Sequence, residues 1–240
     1  TTAVNTAFAL AHEYKQNTVV VDMDFQFGMI AKNLDRTSTY GIKDLFEHPD
    51  RGIDNTLIER MLVEYRPGLK LIAAPQDLRL LPSVRPEVIR DLIVTLQDQF
   101  KYVILDLPHI WTPWIAAALS HSTHHVLVAQ LWLRSAAHAA RLLGAWEEVG
   151  VDRAGVTLAV NRSGSKFKEA VSPHDFERVC GKKISAYLPN ETRTIVEAEN
   201  MGRTILEVGA ATPLCRSVRE LAHHCSATAL SFAMHTHQVA

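Results

Sequence analysis

Apolar and polar positions along this chain follow two alternating patterns, and the alternation predicts an α/β fold. Short apolar runs rich in β-branched residues are typical of strands buried in a parallel sheet. Segments with apolar residues at helical spacing separate these runs. The pattern predicts strands at 18–22, 61–65, 69–73, 102–107, 125–130, 156–160 and 184–188. It predicts helices at 3–14, 40–47, 54–60, 86–99, 113–121, 134–148, 172–179, 192–200 and from about Pro213 onward.

This alternation of strands and helices predicts a mostly parallel sheet, because a parallel connection needs a crossover that a helix usually provides. The 11 glycines and 10 prolines are scattered, and the sequence contains no linker, repeat or low-complexity stretch. We therefore predict a single domain over residues 1–230, followed by a C-terminal tail over residues 231–240.

Three of the predicted strands have a polar residue at or next to their carboxyl end: Asp22, Asp106 and Asn161. Asp24 and Gln26 come just after the first of these, in a D-x-D-x-Q pattern. Ligands of open parallel sheets bind beyond the carboxyl ends of the strands. One Asp or Asn at such a position is most often a turn residue. Three strands that end this way, with a second carboxylate beside one of them, favour a ligand site.

The residue types at these positions suit phosphoryl transfer. An apolar strand that ends in Asp, as in YVILDLP at 102–108, is the Walker B pattern of a Mg²⁺-binding carboxylate. Asp24 is the candidate for orienting an attacking water, and the Asn161 amide offers a donor and an acceptor to a purine edge. The sequence contains no G-x-x-x-x-G-K-[ST] loop, although its opening TTAVNTAFALA reads like the helix that follows one.

Composition argues against several other classes of function. The 25 basic and 26 acidic residues give a net charge of −1 and no overall basic footprint for nucleic acid. The basic residues within 162–183 are better explained as a solvated face than as a DNA contact. No apolar run reaches about 18 residues, so no transmembrane helix is expected. The three isolated cysteines favour a reducing compartment, and the 12 histidines show no zinc-ligand spacing.

Taken together, these motifs resemble those of the deviant-Walker-A ATPases, the MinD/ParA group. Residues 1–7, VVVDMDFQFG at 19–28, YVILDLP at 102–108 and LAVNR at 158–162 occur in the order and spacing of that group. The resemblance covers nearly the whole chain. It implies a three-layer P-loop NTPase fold, with a mostly parallel central sheet and helices on both faces.

Four longer segments are similar to one branch of that group, the CpaE/TadZ pilus-assembly proteins of Flp (tight-adherence, type IVb) systems. The segments are VDMDFQFG at 21–28, LIAAPQDLR at 71–79, YVILDLPH at 102–109 and YLPNETRTIVEAENMGRTILEV at 187–208. Proteins of this branch often carry an N-terminal receiver-like domain, which in this protein would lie upstream of the first residue.

The resemblance to the MinD/ParA group implies ATP and Mg²⁺ as ligands and assigns a role to each motif residue. Asp24 would position the hydrolytic water, while Asp22 would support the Mg²⁺ shell or the γ-phosphate side. Asp106 would hold Mg²⁺ through water. The nucleotide-binding residues would be Thr1 and Thr2 on the phosphate side, and Asn161, Arg162 and Pro189 around the adenine.

The function that the resemblance implies is a switch that dimerises across ATP and localises or assembles a type IVb pilus or secretion machine. It would be a weak ATPase. Two alternatives stay open: a ParA/MinD-type partition or positioning ATPase, and a scaffold that has lost turnover. The signature lysine and the phosphate-cradling lysine of the family's P-loop are absent from this chain, so turnover is open to question.

The expected partners are a second copy of the chain and pilus or secretion assembly proteins, not nucleic acid. After Arg219 the chain has no Lys or Arg, so we expect no MinD-type amphipathic membrane anchor in this chain. The expected location is the cytoplasm, with recruitment to the cell pole or the inner membrane. Trp111, Trp114 and Trp132 follow predicted strands, and either core packing or a partner surface explains them.

Overall fold

The computed structural model describes residues 1–47, 52–75, 84–164 and 171–236. They form two compact units. The first unit contains Thr1–His121 and Arg193–Ala210, and the second contains Ser122–Thr192 and the chain from Ala211. The helices are α1 (Thr2–His12), α2 (Ile30–Asn33), α3 (Lys43–Glu47), α4 (Asn55–Met61), α5 (Pro86–Gln97), α6 (Pro113–Ser120), α7 (Leu133–Glu148), α8 (Pro173–Cys180), α9 (Thr192–Asn200), α10 (Ile205–Val208) and α11 (Pro213–Thr236). The strands are β1 (Thr18–Asp22), β2 (Leu62–Arg66), β3 (Leu69–Ile72), β4 (Tyr102–Asp106), β5 (His125–Ala129), β6 (Val156–Ser163) and β7 (Ala186–Pro189).

The first unit is built on a four-stranded sheet in the order β2-β3-β1-β4. Strand β1 pairs in parallel with both β3 and β4, and all five of its residues are buried. This burial is why the strand reads as a continuous apolar run with no inside–outside alternation. Strand β2 is antiparallel to β3, since the turn between them, with Gly68 at φ +84°, is too short for a parallel crossover.

The core of the first unit lies between α1 and the sheet. Val4, Ala7 and Ala11 recur at helical spacing on one face of α1 and pack with Val20, Leu69 and Leu71 of the sheet. The small side chains of Ala7 and Ala11 allow α1 to approach the strands closely. This packing fixes the position of α1 and therefore of its N-terminus. Ile30, Leu34 and Tyr65 complete the same cluster.

The second unit contains a three-stranded parallel sheet in the order β5-β6-β7. Strand β6 extends to Ser163, beyond the end predicted at residue 160, so Asn161 lies inside the strand. It pairs in register with Leu188 of β7. Helix α11 continues to Thr236, past the start of the tail predicted at 231, and residues 237–240 lie outside the described residues.

Most predicted strands and helices are confirmed within a few residues, but three short helical segments were not predicted. They are α2, α10 and a 3-10 turn at Arg153–Gly155. Segments of three or four residues carry too little periodicity to be recognised from sequence. Part of the LIAAPQDLR motif, residues 76–79, and the basic residues Lys166 and Lys168 lie outside the described residues.

The three tryptophans that follow predicted strands differ in their environment. Trp114 is buried, and its ring lies 4.8 Å from that of Phe25, so core packing explains it. Trp111 and Trp132 are 44% and 42% exposed. In the part of the chain that the structure describes, no helix is long and apolar enough to span a bilayer.

Candidate functional site

Two carboxylates end two neighbouring strands of the first unit. Asp22 closes β1 and Asp106 closes β4, and the two residues are paired in register. The backbone N–H of Met23 donates to the carbonyl oxygen of Asp106 at 3.0 Å, so the pairing continues one residue beyond β1. Of the three polar strand ends predicted at one edge of the sheet, Asp22 and Asp106 therefore meet, whereas Asn161 lies in the three-stranded sheet of the second unit.

Burial sets the electrostatics of this carboxylate pair. Burial raises the pKa of Asp22 to about 6, because the charged form loses its hydration. Backbone N–H groups of Ile30 and Asp24 oppose that change, while the negative charge of Asp106 adds to it. Burial also raises the pKa of Asp106, and the negative charge of Asp24 raises it further. A cation near these groups would therefore be stabilised.

The carboxylates at this edge offer few protein ligands to a metal ion, and Mg²⁺ is an ion that needs few. Within the described residues, no three His, Cys, Asp or Glu side chains form a group that could hold a metal ion. Magnesium needs fewer protein ligands than this, because it keeps several waters and takes phosphate oxygens from its substrate. No Lys or Arg within the described ranges pairs with Asp22, Asp24 or Asp106. The carboxylates therefore fit a hydrated ion bound together with a nucleotide.

Asp24 lies at the start of the loop that follows β1. Its Oδ1 accepts hydrogen bonds from the backbone N–H groups of Gln26 at 3.4 Å and Phe27 at 3.1 Å. Its carbonyl oxygen accepts from the N–H of Gly28 at 2.8 Å. Among the described residues its Oδ2 has no hydrogen-bond partner, so one carboxylate oxygen stays available to a water.

The N-terminus of α1 belongs to the same unit as Asp22 and Asp106. Thr1 is exposed, Thr2 is the first helical residue, and no acidic residue occurs in the first turn. The first N–H groups of a helix have no partner within the helix, and with the helix dipole they favour an anion. This helix end can therefore receive a phosphate.

The residues predicted to face adenine come together in the second unit. The Oδ1 of Asn161 accepts from the backbone N–H of Arg162 at 2.8 Å, and Arg162 has a positive φ of 54°. Pro189 ends β7 opposite Ser163, and the N–H of Asn190 donates to the Ser163 carbonyl at 3.0 Å. The Asn161 amide keeps its two N–H donors for a ligand.

Two further residues contribute to the site and were not given a role from the sequence. Gly28 lies against Asp22, since a Cβ at position 28 would be 2.4 Å from Oδ1 of Asp22. Asn5 is 2% exposed, and its Nδ2 donates to the Thr1 carbonyl at 2.8 Å. Both residues occur within the quoted motifs. The available signals were a glycine two residues after D-x-D-x-Q and a polar residue among alanines.

Comparisons with known proteins identify chains of similar sequence and fold. No family model matches the chain. The septum site-determining protein MinD of Synechocystis sp. is 24% identical over 218 residues, which cover 89% of this chain and 79% of that protein. The crystal structure of a ParA family ATPase from Chlorobium tepidum has a TM-score of 0.83 at 25% identity, covering 93% of this chain and 92% of that one. MinD from Pyrococcus horikoshii, complexed with Mg-ADP, has a TM-score of 0.78 at 14% identity over 92% and 87% of the two chains.

These similarities establish the fold. The chain has the α/β fold of the MinD/ParA P-loop ATPases, with mostly parallel strand pairing and helices, as its motifs predicted. One protein of this fold binds Mg-ADP. The similarity to the CpaE/TadZ branch rests on the sequence segments alone.

Proposed function

We propose that this chain is the ATPase portion of a nucleotide-dependent switch of the MinD/ParA type, with weak ATP hydrolysis. The observation that supports this most directly is the register pair Asp22–Asp106 in the unit that also contains the N-terminus of α1. In this pair Asp106 would hold a magnesium ion beside a helix end that receives phosphate, and these are the two parts that phosphoryl transfer requires.

Each residue in the proposal has one task. The N–H groups at Thr1 and Thr2 would bind phosphate oxygens, and Asp106 would hold Mg²⁺ through its water shell. Bound Mg²⁺ would neutralise charge that develops on the phosphate oxygens. The free Oδ2 of Asp24 would accept a hydrogen bond from the attacking water and orient it. Asn161, Arg162 and Pro189 would contact the adenine.

The proposed switch dimerises with a second copy of the chain across the nucleotide. Exposed apolar side chains support this proposal: Phe27 and Met29 follow β1, and Ile110 and Trp111 follow β4, with exposures of 69%, 48%, 52% and 44%. Large apolar groups beside a polar site are typical of an interaction surface. Sedimentation velocity should show a dimer with Mg-ATP and a monomer with Mg-ADP, and a monomer in both would contradict the proposal.

The process that this switch serves is proposed from the sequence motifs. Their similarity to the CpaE/TadZ branch favours assembly or localisation of a type IVb pilus or secretion machine, with recruitment of a cytoplasmic protein to the pole or inner membrane. Deletion of the gene should then abolish surface pili in electron micrographs, and Asp24→Asn should fail to restore them. Normal pili in the deletion strain would exclude this role.

A partition or positioning ATPase is the second candidate, because the relatives found by comparison are MinD and ParA proteins. A DNA-partition role predicts ATP-dependent binding to DNA with a steep dependence on salt concentration. The pilus role requires no such binding, so a titration with DNA at several salt concentrations distinguishes the two candidates.

Turnover itself is tested by phosphate release from Mg-ATP with the full-length protein. Asp24→Asn should bind nucleotide normally and lose turnover, since it removes the charge that polarises the attacking water. Asp98→Asn changes an exposed carboxylate of the first unit and should retain the activity of the parent. Equal turnover in the Asp24 variant and the parent would refute the role of Asp24. Nucleotide binding without turnover in any of the proteins would instead indicate a scaffold.

A further inference from the structure

Asp22 uses both of its carboxylate oxygens inside the protein. Its side chain is buried, with the residue 2% exposed. Oδ1 accepts the backbone N–H of Asp24 at 3.3 Å, and Oδ2 accepts the backbone N–H of Ile30 at 3.0 Å. These two N–H groups stand at the two ends of the loop that carries Asp24. The carboxylate of Asp22 is therefore hydrogen-bonded to both ends of the loop.

The loop is also held from within. Gly28 donates to the carbonyl oxygen of Asp24 at 2.8 Å, and the Asp24 side chain accepts from two further N–H groups. Phe25 is 3% exposed and lies between the rings of Phe46 and Trp114, at 4.9 and 4.8 Å. These contacts restrict the conformation of the loop. The loop conformation in turn sets the direction in which the free Oδ2 of Asp24 points.

Gly28 provides an independent observation of the same arrangement. A Cβ at this position would lie 2.4 Å from Oδ1 of Asp22 and 2.5 Å from Cβ of Ala74. Separations this short are not tolerated, so the loop backbone crosses directly over the Asp22 carboxylate only because residue 28 is glycine. The loop itself therefore forms the close surroundings of the Asp22 carboxylate.

We propose that Asp22 is a positioning residue, which holds the loop of residues 23–30 so that Asp24 faces the reacting phosphate. This proposal rests on the proposed function and replaces the role that sequence resemblance assigned to Asp22 in catalysis and metal binding. Asp22 acts through backbone N–H groups, and Asp106 remains the carboxylate that holds the ion.

Two substitutions test the proposal. Asp22→Asn keeps the size of the side chain but leaves one of the two N–H groups facing an NH₂ donor. Gly28→Ala changes no carboxyl group, and its Cβ would clash with Asp22 and Ala74, so we expect it to displace the loop. Gly144→Ala is the matched control, since a Cβ at Gly144 meets nothing within 4 Å. Full-length protein is used throughout.

The first readout needs neither nucleotide nor metal. Amide hydrogen exchange followed by mass spectrometry should show faster exchange in the peptide containing residues 23–30 for Asp22→Asn and Gly28→Ala, and no change for Gly144→Ala. Unchanged exchange in the Asp22 variant would overturn the proposal. Because this readout is independent of turnover, the proposal on Asp22 remains testable even if the protein hydrolyses no ATP.

The second readout separates positioning from metal binding. A misplaced Asp24 should lower kcat on the order of 100-fold in both loop variants, while the Mg²⁺ concentration that gives half-maximal nucleotide binding stays that of the parent. Combining Asp22→Asn with Asp24→Asn should add little to the loss from Asp24→Asn alone. A large rise in the Mg²⁺ requirement of Asp22→Asn, with the exchange of 23–30 unchanged, would show that Asp22 is a direct ligand.

Discussion

The side chain of Asn5 joins the backbone of Ile205, a residue 200 positions further along the chain: its Oδ1 accepts the Ile205 N–H at 2.9 Å. Ile205 is the first residue of α10, where a helix N–H has no partner within the helix. The same amide donates through Nδ2 to the Thr1 carbonyl at 2.8 Å. One buried side chain therefore satisfies the start of α10 and contacts the N-cap residue of α1.

Removal of this side chain should destabilise the first unit. Asn5→Ala removes the side-chain oxygen that accepts the buried Ile205 N–H, and loss of such a buried hydrogen bond costs about 1–3 kcal/mol. Urea unfolding followed by circular dichroism measures the difference in free energy of unfolding. Asn200→Ala, an exposed asparagine at the end of α9, is the control and should change stability by only a few tenths of a kcal/mol. Equal effects of the two substitutions would contradict the assignment.

Substitution of Asp106 should weaken nucleotide binding only when Mg²⁺ is present. Asp106→Asn removes one charge from a buried carboxylate that is paired in register with Asp22, so the affinity for Mg-ADP should fall about tenfold, the equivalent of about 1.4 kcal/mol. Titration of a fluorescent ADP with and without Mg²⁺ measures it. An affinity that is unchanged in both conditions would exclude Asp106 from the ion site.

Asn161 can be tested without disturbing its internal hydrogen bond. Asn161→Asp keeps the oxygen that accepts the Arg162 N–H but removes the two N–H donors proposed for the adenine. We expect about a fivefold loss of affinity for ATP, since one hydrogen bond is worth about 1 kcal/mol. Isothermal titration calorimetry provides the measurement, and the thermal midpoint should stay close to that of the parent. Unchanged ATP affinity would remove Asn161 from the proposed nucleotide site.

The second unit should lose stability as the pH falls below about 6.5. Burial, followed by the charges of His224 and His125, lowers the pKa of His124 to about 4. Its Nε2 lies 3.1 Å from the Thr157 hydroxyl, and among the described residues its buried Nδ1 has no hydrogen-bond partner. The folded state therefore favours the neutral ring.

The sign of the effect follows from proton binding. Below pH 6.5 the unfolded chain takes up a proton at His124 that the folded chain refuses, so stability declines between pH 6.5 and 4. The loss is on the order of 2 kcal/mol, allowing for solvent screening of a partly exposed ring. Urea unfolding at pH 7.5 and 4.5 should show a smaller decline for His124→Gln than for the parent. Exposed His174→Gln should behave like the parent, and identical pH profiles for both variants would exclude His124.

Much of the architecture was readable because it depends on local patterns. The run TVVVD has no polar position before Asp22, which is what burial of β1 on both faces requires. Likewise, the spacing of Val4, Ala7 and Ala11 reports the face that α1 packs on the sheet. Strands this apolar place their closing aspartates at one edge, so the meeting of Asp22 and Asp106 was predictable. The single-domain prediction over 1–230 and the nucleotide roles of the site residues stay predictions.

The direction of the Asp22 side chain could not be read in the same way. Alternation along a strand distinguishes two faces only when one of them is exposed, and β1 is buried on both. Position 22 was therefore equally compatible with a side chain that faces a ligand and one that faces the following loop. The close passage of Gly28 over its carboxylate depends on how residues 23–30 fold back, which no local pattern encodes.

By itself, the sequence determined the order of most strands and helices, the burial of β1 and the position of two carboxylates at strand ends, because each follows from near-neighbour periodicity. The tertiary structure alone decided that Asp22 supports a loop, that Asp24 keeps one oxygen free and that Asn5 reaches Ile205. These relationships join residues whose contacts are specified by packing and by the need of every buried N–H for an acceptor, and such demands are met across the fold rather than along the chain.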